Sequence, residues 1–314
     1  MLGGLLCVTA LAMADGFLRG PVTGLVHNAA AGTIHRIDGM PGAATVSEAI
    51  ATGVEARVAV FDRAQRFAIL AAGTGEVYLV RDPAGPEPRT ERLAGAMENV
   101  NRIELSADGT AAALYSVERH SVQLMGGLPD AVKFSTAVEA GSDVTAMAVS
   151  ASGALLASGR DGHATIFRLT LEGDMMPVAE AGSVRSLTFW GREGLAYADL
   201  SRNQLVRVRG LAPGAETAVL AGAADGVDQP RGVCALPDGG LVLVNAATAM
   251  LFDAEGRRTG SIALEFEPKG CGMPGSGPEL LLNEAGRGPL FLLDYSDVPR
   301  VMFVPAAAAS EKAR

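Results

Sequence analysis

Asn101-Arg-Ile-Glu-Leu-Ser-Ala-Asp-Gly-Thr-Ala-Ala-Ala-Leu114, Val144-Thr-Ala-Met-Ala-Val-Ser-Ala-Ser-Gly-Ala-Leu-Leu-Ala157 and Arg231-Gly-Val-Cys-Ala-Leu-Pro-Asp-Gly-Gly-Leu-Val-Leu-Val244 follow one plan. Each is a short apolar strand, a turn at Gly or Asp-Gly, and a second apolar strand. Six segments of this kind open at Val54, Val100, Val144, Val184, Pro230 and Pro268. They recur at intervals of roughly forty residues, with the variation expected when insertions fall in loops. A seventh unit precedes them. It runs from Val22 to Asn28, turns at Gly32, continues as Thr33-Ile-His-Arg-Ile, turns at Asp38-Gly39 and ends over Ala43 to Ala51.

Within the unit at Val144 four strands can be traced, Thr145–Ser150, Ala154–Ser158, Ala164–Leu169 and Pro177–Ala181. Ser-Gly and Asp-Gly pairs between them supply the positive φ that tight hairpins need. Phe67-Ala-Ile-Leu-Ala-Ala72 and Leu241-Val-Leu-Val244 are continuous apolar runs, as in strands covered on both faces. A strand-only repeat of this length predicts an all-β fold, a seven-bladed β-propeller of four-stranded antiparallel blades over residues 15–305, with six blades as the alternative. The ring is expected to close by a strand exchanged between the termini, drawn from Arg300–Pro305 or from Gly16–Pro21. Residues 306–314 read as a short flexible tail.

Hydrophobic residues make up 48% of the 314 and charged residues 19%, enough apolar material for a sizeable core. A formal net charge of −9 repels phosphate backbones and anionic membrane surfaces, so no nucleic-acid partner is expected. Met1 to Ala14 carries no charge, and the small-x-small pairs Ala10/Ala12 and Ala12/Ala14 suit a signal-peptidase site. Residues 1–14 are therefore expected to be a signal peptide, which places the mature protein in the periplasm or outside the cell without membrane insertion. A buried N-terminal strand, in a cytoplasmic protein, is the alternative. With Cys7 removed, Cys234 and Cys271 remain, in the first strands of neighbouring units. A disulfide between them and a pair of buried free thiols both stay open at this point.

Val144–Leu169 resembles a WD40 repeat, with Phe167-Arg168 standing about where the Trp-Asp pair would fall. Pro230–Phe252 is similar to an NHL repeat, with Pro-Arg-Gly-Val followed by Pro-Asp-Gly-Gly. The resemblance covers most of the chain at the level of fold. It implies the propeller architecture and no particular activity, because propellers host binding scaffolds and enzymes alike.

Patterns that carry chemistry are few. The sequence has no Gly-x-Ser-x-Gly elbow, no His-Glu-x-x-His, no Cys-x-x-Cys and no P-loop. Ser106-Ala-Asp-Gly reads as a hairpin turn, and His27, His35, His120 and His163 read as surface or structural histidines. No metal site and no cofactor are expected. One pattern stands out. Arg57, Arg102, Arg185, Arg231 and Lys269 lie at the starts of first strands, which ring one mouth of a propeller channel. Such a collar on an acidic protein suits a small anion or an acidic partner loop. Its phase is uneven: Arg57 and Arg102 stand one residue before the first apolar position, and the other three stand two before it. These features predict an exported, non-enzymatic scaffold that binds a protein or another ligand through one loop face. The alternative is a lactonase-like or lyase-like propeller hydrolase with a metal at the channel mouth.

Overall fold

A computed structural model describes residues 21–306 except 41, 192, 287 and 297. The expected signal segment, the expected strand donor before Pro21 and most of the expected tail lie outside the described residues. The chain forms seven antiparallel sheets in sequence order, a seven-bladed β-propeller. The one helical element described is a 3₁₀ turn at Ala223–Asp225. Blades two to six open with the strands Ala56–Phe61, Arg102–Leu105, Val144–Ser150, Val184–Phe189 and Gly232–Ala235. Blade three splits its outermost strand into Lys133–Phe134 and Val138–Glu139, both paired to Ser121–Gly126.

The second strands show why the blades stack. Phe67–Ala72, Ala111–Ser116 and Gly194–Asp199 are buried at every residue. Alternation sends successive side chains to opposite faces. Ala112 and Leu114 pack against blade two, while Ala111, Ala113 and Tyr115 pack against blade four. The apolar core is thus divided into seven clusters, each shared by two adjacent blades.

Blade one departs from the pattern. Its strands are Val22–Asn28, Thr33–Asp38 and Thr45–Val46. Val22 O accepts a hydrogen bond from Gln65 Nε2, beyond the far end of blade two's first strand, and His27 Nε2 bonds Ala56 O at that strand's start. Val22–Asn28 therefore runs opposite to the first strands. The described strands of blade one are its second, third and fourth.

Among the described residues, blades one and seven meet by packing. Val26, Ile37 and Ala44 of blade one meet Leu290, Leu292 and Val304 of blade seven. Leu25 N donates to Pro274 O at 3.0 Å. A Cβ on Gly24 would lie 2.4 Å from that same oxygen, so glycine is required for this approach. Arg300–Val304 pairs with Leu290–Asp294 and is the outer strand of its own blade, so it is not exchanged.

Cys234 and Cys271 form a disulfide between blades six and seven, with Cα atoms 6.1 Å apart. Glycine explains the proximity: a Cβ on Gly232 would meet Cys271 N at 2.8 Å and Gly270 Cα at 3.0 Å. Two bare backbones let the strands approach to bridging distance. The bond encloses a sequence separation of 37 residues. On the chain-entropy account, reduction or the double substitution Cys234→Ser/Cys271→Ser should cost about 3–4 kcal/mol. Denaturant titrations with and without reductant check this; coincident midpoints would refute it.

Candidate functional site

The first strands line a central channel that contains a cavity of about 680 Å³. Most of its wall is apolar, including Val60, Phe61, Leu105, Met147, Leu187 and Phe189. The charged or titratable groups in the lining are His27, Arg63, Glu104 and Glu284. A concave, mostly apolar space with a few polar groups has the character of a ligand site.

The five collar residues are absent from this lining and sit at one rim, where the first strands begin. The register explains their uneven phase. Ala56 pairs with Ala72 and Val58 with Ala71, so Arg57 is an extra residue, a β-bulge. Arg185 is skipped in the same way between Val184 and Ser186, and Thr145 between Val144 and Ala146. In blades six and seven the corresponding backbone bonds run from Arg231 N to Val244 O at 2.7 Å and from Lys269 N to Leu282 O at 2.8 Å. In blade three that bond comes from Asn101 N to Tyr115 O, and Arg102 is the paired residue that follows. The grouping suggested by the sequence is therefore corrected. Arg57, Arg185, Arg231 and Lys269 share one position, and Arg102 lies one residue on. Strand alternation could not reveal this, because a bulge resets the phase.

The collar residues differ in what they touch. Arg57 Nη2 donates to Val100 O at 2.7 Å and Arg102 Nη1 to Val144 O at 3.4 Å, each reaching the next blade. Arg231 and Lys269 share the carboxylate of Glu267, at 3.3 and 3.9 Å. Arg185 is exposed and has no hydrogen-bond or ion-pair partner among the described residues.

Three of the four histidines are held by structural contacts. His35 bonds Ser47 O and Thr33 Oγ1. His120 faces Asp143 at 3.0 Å. His163 is an exposed residue at the start of a strand. His27 borders the channel, and burial lowers its pKa against the opposing pull of its bond to Ala56 and of Glu284. Among the described residues no three His, Cys, Asp or Glu side chains are grouped to hold a metal ion.

Glu104 and Arg63 are the channel residues that sequence reasoning passed over. Arg63 follows the end of blade two's first strand, and burial lowers its pKa. Glu104 lies between Ile103 and Leu105 on blade three's first strand. Burial pushes its pKa up to about 7, with Arg102 pulling the other way. A carboxylate inside an apolar first strand was the signal in the sequence.

No protein-family model matches the chain, and none of the curated proteins does. Solved structures match it as a fold. A functionally unknown protein from Desulfotomaculum acetoxidans aligns with a TM-score of 0.65 at 13% identity, over 90% of this chain and 99% of its own. A catalytically inactive virginiamycin B lyase from Staphylococcus aureus, crystallised with quinupristin, aligns with a TM-score of 0.56 at 13% identity, over 80% and 84%. The WD40 repeats of RRP9 align with a TM-score of 0.57 at 10% identity, over 79% and 80%. These likenesses establish the propeller and its kinship in shape with WD40 and lyase rings.

The raised Glu104 pKa sets a direction for stability. The folded state holds this proton after the unfolded chain has released it, so the contribution is present below about pH 4.5 and is lost as pH rises through 7. Glu104→Gln should raise the thermal midpoint at pH 8 by about 2–5 °C and leave it nearly unchanged at pH 4. Scanning calorimetry at the two pH values checks this; the same shift at both would show that burial of charge is not its cause.

Proposed function

We propose that this propeller is an exported, non-enzymatic scaffold that binds an acidic segment of a partner protein over the collar end of its channel. One observation carries the reading: four basic residues, Arg57, Arg185, Arg231 and Lys269, occupy one register position around one mouth. Glu267 is the only acidic side chain within ion-pairing distance of these four among the described residues. The rest of their charge is available on a chain whose net charge is −9. A ring of cations in one plane favours a partner that presents several carboxylates at once.

The test uses a fluorescein-labelled hexaglutamate peptide and anisotropy. The combined substitution of Arg57, Arg185, Arg231 and Lys269 by Ala should weaken binding at least tenfold, and raising the salt from 50 to 300 mM should weaken it in the unsubstituted protein. Binding that ignores both changes, or no binding at all, overturns the reading.

Export rests on the N-terminal segment, and the Cys234–Cys271 disulfide supports an oxidising compartment. The intact mass of protein from an exporting host tests it. A chain beginning at Asp15 supports export. Retention of Met1–Ala14 overturns it and favours the alternative, a buried strand ahead of the three described strands of blade one.

A further inference from the structure

We propose that the interior of the channel, apart from the collar, is a binding site for a small organic ammonium ion with an apolar body, held by the Glu104 carboxylate. The hydroxyl groups and the histidine of the wall are committed. Ser106 Oγ bonds Asp108 and accepts from Thr110 N and Ala111 N. Ser186 Oγ accepts from Val233 N at 3.1 Å, and Thr188 Oγ1 bonds Phe189 O at 3.2 Å. His27 Nε2 is bonded to Ala56 O at 2.8 Å. Glu104, Arg63 and Glu284 have no hydrogen bond or ion pair among the described residues, and of the two carboxylates Glu284 is exposed while Glu104 is half-buried within a first strand.

A half-buried carboxylate without donors lacks the bonds such groups ordinarily make. An ammonium group supplies N–H donors and an opposite charge, and charge-assisted bonds of this kind are the strong ones. The wall specifies the rest of the ligand. Leu105, Met147 and Leu187 suit an alkyl body, and Phe61 and Phe189 add ring faces of the kind that attract cations. A bare metal ion fits poorly, because it needs several oxygen ligands and no three His, Cys, Asp or Glu side chains are grouped here among the described residues.

Charge around the site follows from its neighbours. Arg102, on the same strand, is the charge that acts on Glu104. Arg63, His27 and Glu284 also line the cavity. Burial and Arg102 together set Glu104 to ionise near neutral pH, so a cation should bind better above pH 7 than below it.

The test is isothermal titration of the full chain with hexylammonium, hexanol and hexanoate at pH 8 and pH 5.5. Hexylammonium stays protonated at both values. It should bind at least tenfold more tightly than hexanol at pH 8, and about tenfold more weakly at pH 5.5 than at pH 8. Glu104→Gln should abolish both the preference for the amine and its pH dependence. The preference in the unsubstituted protein is a readout that does not depend on the variant folding. Equal binding of alcohol and amine, tightest binding of hexanoate, no binding, or a preference that survives Glu104→Gln would each overturn the proposal. Because the supporting readout compares a cation with a neutral alcohol and the collar is tested with hexaglutamate, failure at one site is read separately from failure at the other.

Discussion

No blade of this ring covers its own faces. A four-stranded sheet with an apolar second strand needs a neighbour on each side, and the seven clusters supply one on every side. Ile69 and Ala71 face blade three while Ala68 and Leu70 face blade one, within a single six-residue strand. Apolar runs that would be a liability on a free sheet are therefore obligatory here. The constraint also explains the closure. Val26 and Ile37 must meet Leu290 and Leu292, because otherwise the first and last blades would each leave one apolar face in water.

The same packing turns a position in a strand into a position around an axis. Residues at equal register in the first strands stand at equal height on the channel. A single added residue in each strand, the bulge at Arg57 and Arg185, repositions side chains at the rim without disturbing the core behind it. The interior wall has the opposite composition, since its small and apolar residues also serve the inter-blade clusters. Polar chemistry at this depth is confined to side chains that point toward the axis, and Glu104 and Arg63 are among them.

The repeat was legible because its signal is local. Asp108-Gly109 and Ser152-Gly153 mark hairpins, and unbroken apolar strands mark inter-blade burial, so blade number and order follow from a few residues at a time. The collar was only partly legible. Its residues are visible, but their common register depends on bulges, which no alternation rule exposes. The disulfide was legible as one of two readings of Cys234 and Cys271, and the choice depends on two glycines, Gly232 and Gly270, that let neighbouring backbones approach. Ring closure was hardest, because it depends on how Gly24 meets Pro274 some 250 residues away. Glu104 was in plain view, yet a lone carboxylate has no meaning until the channel around it is known.

The arrangement of charge along the channel has a consequence for both proposed ligands. A cation that enters over the collar passes Arg57, Arg185, Arg231 and Lys269 before it reaches Glu104, and like charges at close range oppose that route. Among the described residues the opposite mouth carries Arg63 but no such ring: there the first strands end in turns such as Ser106-Ala-Asp108-Gly109, whose Asp108 keeps a lowered pKa because bonds from Ser106 and Thr110 outweigh the opposing effect of burial. An organic cation is thus favoured through the end that an acidic partner is not, and the two ligands need not compete. The ring keeps its two ends electrically distinct because the described first strands of blades two to six run in the same direction, so residues at the starts of these strands do not mix with residues at their ends.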